Sequence, residues 1–538
     1  MKEIRLLDCT LRDGGYVNDW EFGHSVITGT YKRLDEAGVD YIEVGFLDDR
    51  RAFDINRTIQ PNTDCFNKVF DGVEKKHAVP VAMIDFGTCD ISNIGDCNST
   101  FIDGIRVIFK KEKIEQALPF CKAIKEKGYK LFIQAISITA YSDFEMLEYV
   151  QKINEIKPYA FSIVDTYGLL DNRTLTNYFN LMNNNLDSEI KIGYHAHNNF
   201  QLAFSNSIKF LALETQRTIV VDSTVYGMGK SAGNTPSELV AMHMNERYGK
   251  NYDINQFLEI FDTDLISVYK EHYWGYKYNF YISAMQSCHP NYVQYLLDKK
   301  TLSVTSINEI LSKIPEELKL LYNKDWIEKA YLEYQYHAID DGVSIKKLTS
   351  SLKDRNVILL GPGSSLKNEE SKIKDFIIKN NCVVISVNFE PDIYTCDYVF
   401  VSNSKRYGKL ADIVNKNSLA KLITTSNISL FGRVSDFVLN YKTLIDYNKS
   451  NNDNALLLAI AMLIRTGIQN VTLAGFDGFK ANSNDYYDYK YAFAGNEKYI
   501  VDSNESTKEV LKNFTKEIEI DFLTESLYDS VLCNTENK

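Results

Sequence analysis

Two histidines two residues apart, His195 and His197 in the stretch YHAHNNF, are the sharpest chemical signal in this 538-residue chain. Alternate side chains of an extended strand share a face, so His195 and His197 point the same way and can grip one ion. With an acid from another strand end, two imidazoles and open positions suit a divalent cation in octahedral coordination. Mn²⁺ or Mg²⁺ comes first and Zn²⁺ is the alternative. A second signal is LLDCTLRDGGYVND, where Arg12 and Asp13 adjoin after a short apolar run and before two glycines. An isolated RDGG reads equally well as a surface turn with a local ion pair. Its meaning depends on what converges there.

The elements that must position these residues follow from the apolar pattern. Short β-rich runs recur at 4–8, 41–46, 79–85, 104–109, 130–136, 160–165, 190–196 and 218–223, with helical periodicity between them. Eight β/α units in this rhythm predict a TIM barrel, with a doubly wound sheet as the rival. Active sites of such barrels gather at the C-terminal strand ends, and polar residues stand there in this chain. Arg12 and Asp13 follow the first strand, Glu43 lies on the second, Gln134 on the fifth, and Asp165 ends the sixth. The seventh ends in YHAHNN and the eighth leads into YGMGKSAGN. Gln134 and Asp165 become candidate substrate contacts at the barrel mouth.

TLRDGG, IEVGF, YHAHNNFQLAFSNS and GMGKSAGN, in this order, resemble the signature of the DRE-TIM metallolyase superfamily, most nearly its 4-hydroxy-2-oxovalerate aldolase-like branch. The resemblance implies that Asp13, His195 and His197 bind the metal and that Arg12 stabilises an enolate oxygen. Glu43 would be the acidic member of the motif, and Asn234 occupies a position that ligates metal in some relatives. Asp13 would then be a hard anionic ligand, and Arg12 a planar cation where enolate charge develops. The glycines would let backbone approach substrate. The implied reaction is C–C cleavage or condensation through the enolate of a pyruvate-like 2-oxo acid, with an aldehyde or sugar acceptor.

One position departs from that pattern. Close relatives place a histidine general base three residues after the ligand aspartate, where this chain has Tyr16. A phenol with a reference pKa near ~10 is a poor base at neutral pH, so Tyr16 either handles a hydroxyl or packs. His289, in the stretch HPNYVQYL, reads as a helix cap or packing residue. A Claisen-type acyltransferase using acetyl-CoA shares the barrel signature and is the alternative, as is a degenerate barrel serving a working second domain.

The chain divides, on pattern, into a barrel at 1–250, a helical extension and linker packed on it at 251–350, and a second α/β domain at 351–538. In that domain VILLGPGSSLKNEE sets Gly361, Gly363 and Ser364 between a strand and a helix, where amides can receive phosphate. Together with ISVNF, VFVSN and the stretch around Asp477, it resembles a Rossmann-like group that includes DUF115, archaeal-type pterin pyrophosphokinase and sialyltransferase-like proteins. That implies a nucleotide or nucleotide-sugar partner for Gly361, Gly363, Ser364 and Asp477, and a role in carbohydrate or surface-polysaccharide precursor synthesis.

Composition narrows the classes. Charged residues make up 25% and the apolar set 44%, an ordinary globular balance. A net charge of -12 argues against nucleic acid. Nine scattered cysteines without CxxC spacing suggest a reducing compartment. No signal peptide or membrane span is evident, so a cytoplasmic protein, with homo-oligomerisation open, is expected.

Overall fold

The computed structural model describes residues 2–299, 301–408, 410, 419–428, 435–448, 453–480, 486–488 and 497–531. The chain forms two compact units, 1–291 with 319–321, and 292–318 with 322–538.

The first unit is a closed barrel of eight parallel strands: β1 (Ile4–Asp8), β2 (Tyr41–Leu47), β3 (Val79–Asp85), β4 (Gly104–Ile108), β5 (Lys130–Ala135), β6 (Ala160–Asp165), β7 (Lys191–Ala196) and β8 (Ile219–Ser223). β1 pairs with both β2 and β8, which closes the cylinder. A two-residue strand, Ile59–Gln60, adds to β2. All eight strands fall where the apolar runs predict them. Among the intervening helices, Ser142 and Glu145 form a reciprocal capping box before Asp143–Ile156, and Asp171 caps Asn172–Asn185.

Alternation along the strands layers the barrel interior. Leu7, Tyr41, Phe132, Ala160 and Val220 belong to one apolar cluster. Two residues further along the same strands stand Cys9, Glu43, Gln134, Ser162 and Asp222, all buried. The same two-residue step brings Arg106 up from Gly104 and His195 up from Gly193. Charged groups above an apolar plug require mutual pairing, since a lone buried charge is strongly disfavoured.

The helical segment after the barrel is shared between the two units, which corrects the expectation of one extension packed on the barrel. Phe257, Ile260, Leu265 and Trp274 join the barrel core. Val304–Leu311, Lys324–Gln335 and Gly342–Leu352 fall in the second unit, where Leu348 and Leu352 pack with Val357 and Leu359.

The second unit is built on seven parallel strands: β9 (Val357–Leu360), β10 (Val383–Val387), β11 (Tyr398–Val401), β12 (Lys421–Thr425), β13 (Phe437–Leu439), β14 (Asn470–Ala474) and β15 (Glu519–Phe522). Their order is β13-β12-β11-β10-β9-β14-β15. Val357 and Leu359 enter one core and Ile358 and Leu360 another, so both faces are covered, as in Rossmann-like sheets. The order reverses direction between β9 and β14, the place where such folds form a crevice.

Candidate active site and metal centre

Asp13, His195 and His197 converge at the C-terminal end of the barrel, with one ligand-type atom from each within 4.8 Å of the others. All three are buried. The His195 and His197 rings lie 5.1 Å apart, as expected for neighbours on one strand face. His195 Nδ1 meets Asp222 Oδ2 at 3.0 Å, which turns Nε2 toward Asp13 Oδ2, 3.6 Å away. Asn234 Nδ2 donates to Asp13 Oδ1 at 2.9 Å, and the Lys230 amide donates to the same oxygen at 3.0 Å. Gly229 makes this approach sterically feasible, because a β-carbon there would overlap Asn234 Nδ2.

Two observations test whether these residues suit a cation. Among the described residues His197 Nδ1 and Asn234 Oδ1 are buried without a hydrogen-bond partner, an arrangement native proteins avoid unless something else satisfies the atoms. The protonation pattern also fits. Burial pushes His197 down to about 3, so it stays a neutral donor despite Asp13. Burial pushes Asp13 up, but the Arg12 guanidinium and His195 outweigh it and hold the carboxyl well below its usual range. Two neutralisable imidazoles, a carboxylate and the Asn234 oxygen form a donor set for a divalent ion. A second grouping, Cys9, His195 and Asp222, is less suited, since Asp222 is already bound to Arg106 and Cys9 Sγ donates to the Ser223 carbonyl at 3.2 Å.

Arg12 is held by carboxylates on two sides, with Nε on Glu43 Oε2 at 2.6 Å and Nη1 on Asp13. Glu43 therefore orients Arg12. Arg106, 1% exposed, lies between the two halves of the site: Nη1 reaches the same Glu43 oxygen at 2.9 Å, while Nη2 bonds Asp222 and, at 3.1 Å, Gln134 Oε1. Burial pushes Asp222 up, but Arg106 and His195 outweigh it and keep the group a carboxylate. The chain from Arg12 through Glu43, Arg106 and Asp222 to His195 is continuous.

Several sequence expectations change. The glycines after Asp13 accommodate packing: a β-carbon at Gly15 would overlap the Trp20 indole, whose Nε1 donates to the Arg12 carbonyl at 2.8 Å, and Gly14 abuts Met228. Asp165 turns away from a substrate role. Its two oxygens accept the amides of Leu169 and Leu170 at 2.8 and 3.1 Å, and burial pushes its carboxyl up to about 6. Gln134 holds Arg106, leaving only its unpartnered Nε2 for other contacts. Tyr16, 40% exposed, packs edge-on to Trp20, and the Lys230 ammonium lies 5.4 Å from its ring. Desolvation pushes its hydroxyl up to about 12 despite Arg12, so it is a proton donor at neutral pH. His289 packs on Tyr167 and accepts the Asn291 amide at 3.1 Å, a local capping arrangement.

In the second unit, the glycine loop's amides are largely engaged. Gly361 donates to Ala474 O and Gly363 to Gly475 O, both at 2.8 Å, and Ser365 donates to Asp477 Oδ2 at 3.0 Å. Ser364 Oγ also reaches Asp477, at 3.3 Å. A β-carbon at Gly363 would lie 2.5 Å from the Asp477 carboxylate. These glycines thus sit at the crossing between β9 and β14, with the Asp477 carboxylate against the loop. No helix among the described residues is long and apolar enough to cross a membrane.

Sequence reading missed Arg106, Asp222 and Lys230. The first two were visible as charges inside apolar strands, GIRVI and IVVDS.

Comparison with known proteins agrees with this geometry. Residues 3–263 match the HMGL-like family. Curated relatives include the oxaloacetate decarboxylase of Mycobacterium tuberculosis, 21% identical over 57% of this chain and 90% of its own length. The 4-hydroxy-2-oxovalerate aldolase of Shewanella pealeana is 23% identical, over 49% of this chain and 78% of its own. A 2-isopropylmalate synthase of Methanocaldococcus jannaschii is 28% identical over 50% and 51% respectively. The match to the HMGL-like family thus spans the barrel segment of this chain, residues 3–263.

Proposed function

We propose that the barrel is a divalent-metal-dependent aldolase or lyase that makes or breaks a C–C bond through the enolate of a pyruvate-like 2-oxo acid. The observation that carries this reading is the juxtaposition of the Asp13, His195 and His197 donor set with the Arg12 guanidinium. Those three residues and Asn234 would hold a divalent ion, Mn²⁺ or Mg²⁺, which would supply Lewis-acid polarisation of a keto group. Arg12, fixed by Glu43 and Asp13, places a permanent cation where negative charge develops on the substrate oxygen. Arg106 keeps Glu43 and Asp222 in place, and Asp222 fixes the orientation of His195. Tyr16 holds its proton at the mouth and, in the condensation direction, donates it to the aldehyde oxygen of the second fragment as that oxygen becomes an alkoxide.

Similarity to a 2-isopropylmalate synthase favours a second reading, Claisen-type acyl transfer to a 2-oxo acid. The two are separated by thiol release from an acyl thioester. For the aldolase reading the test is exchange of pyruvate C3 protons in D₂O, followed by NMR with Mn²⁺ and with chelator. Metal-dependent exchange is expected. No exchange from protein shown to contain the ion overturns the reading.

A further inference from the structure

The guanidiniums of the site each have carboxylate partners. The ammonium of Lys230 has none: among the described residues it makes no ion pair or hydrogen bond, and its near neighbour is the Tyr16 ring at 5.4 Å. Its backbone is fixed beside the donor set, since its amide binds Asp13 Oδ1 at 3.0 Å. A half-buried cation thus lies near Tyr16 on a backbone anchored to the metal donor Asp13.

Among the described residues no carboxylate forms an ion pair with this cation, and Asp13 and Asp85 lend it only a longer-range attraction. Arg12 and Arg106 face Asp13, Glu43 and Asp222. Adding a divalent ion and an enolised 2-oxo acid, which carries a carboxylate and an oxyanion, leaves that group with one net negative charge, on carboxylates already paired with Arg12 and Arg106. Asp165 directs its carboxylate to two amides. Asp85, at the end of β3, shares its field among Lys113, Lys110 and Arg50 as well as Lys230. His289 adds no positive charge, because burial together with Lys230 and Lys110 pushes it down to about 4. The Tyr16 side of the mouth is thus cation-rich.

We infer that Lys230 binds a second anionic group, a carboxylate or phosphate, carried by the aldehyde-side fragment of the substrate. This rests on the enolate reading above and specifies its substrate class: the fragment condensed with, or released from, the 2-oxo acid is an anionic aldehyde. A carboxylate or phosphate oxygen on Lys230 would set the aldehyde carbon near Tyr16, whose hydroxyl then meets the alkoxide oxygen.

The test is calorimetric titration of the full chain loaded with Mn²⁺ and saturated with oxalate, a planar dianion like enolpyruvate. The probes are glyoxylate, glycolaldehyde phosphate and neutral glycolaldehyde. At least one anionic probe is expected to bind about tenfold or more tighter than glycolaldehyde, as a charge-assisted hydrogen bond warrants. Which of the two does so separates carboxylate from phosphate. Lys230→Met should bring the ratio near one, and Lys230→Arg should restore much of it; using the ratio removes general damage to the site. Equal binding of charged and neutral probes, failure of both anions to bind at millimolar concentration, or a ratio that persists in Lys230→Met overturns the inference. If oxalate itself does not bind, the enolate reading fails and this inference falls with it.

Discussion

Asp222→Asn is the substitution whose outcome follows most closely from atom positions. In the native site, Asp222 Oδ2 accepts from Arg106 and faces His195 Nδ1 at 3.0 Å. That keeps the ring proton on Nδ1 and leaves Nε2, toward Asp13, as the ligating atom. An asparagine has one oxygen, and Arg106, which only donates, will claim it. The amide nitrogen then confronts Nδ1 as a donor, and the imidazole must accept there, moving its proton to Nε2. That tautomer cannot ligate. Loss of such a supporting carboxylate typically lowers metal affinity about 10–100-fold, or about 1.4–2.7 kcal/mol at 25 °C. Calorimetry or Mn²⁺ EPR at fixed pH, with circular dichroism to confirm folding, measures it. A Kd within about twofold of the native protein would refute the reasoning.

Arg12→Lys should keep the metal, since Asp13, His195 and His197 remain, while lowering kcat about 10²–10³-fold, because an ammonium cannot span Glu43 and Asp13 as the guanidinium does; near-native turnover in steady-state assays would show that Arg12 only pairs with its neighbours. Metal affinity should weaken on acidification: burial opposes charge on His195, but its hydrogen bonds to Asp13 and Asp222 raise it above its usual value near ~6.5, so protons displace the ion as pH falls through that raised value, by up to about tenfold per pH unit. In metal-free protein this same group contributes stability that is fully present below ~6.5 and lost as pH rises through the raised value, so binding and apo stability should move in opposite directions; a Kd constant from about pH 8 to 5.5 counts against the assignment.

Much of the barrel is legible in the sequence because fully buried parallel strands are written as short apolar runs, and HAH at the end of one such run states its own geometry. What lies across the barrel is not legible. Arg106 on β4 and Asp222 on β8 are visible as charges in apolar strands, yet nothing local says that one bridges to the other and to Glu43. Strand-end position also misleads for Asp165. The rule that polar residues gather at this end does not distinguish a carboxylate facing the mouth from one that folds back onto the next turn's amides. At the loop after β9 the sequence is silent for a similar reason: the side chain that meets it, Asp477, arrives from 112 residues beyond Ser365. In the helical segment, periodicity reveals a buried face but not which core covers it, so Leu348 and Leu352 look no different from Phe257 and Ile260.

On the proposed reading, Asp13, His195 and His197 hold one divalent ion at which a 2-oxo acid is enolised beside Arg12. The most direct test of that reading is a crystal of the full chain grown with Mn²⁺ and oxalate, with anomalous diffraction recorded at the manganese edge. One strong anomalous peak is expected among Asp13, His195, His197 and Asn234, with both oxalate carboxylates reaching the ion and one oxygen within hydrogen-bond distance of Arg12. An anomalous peak elsewhere, or oxalate bound away from Arg12, would contradict the reading.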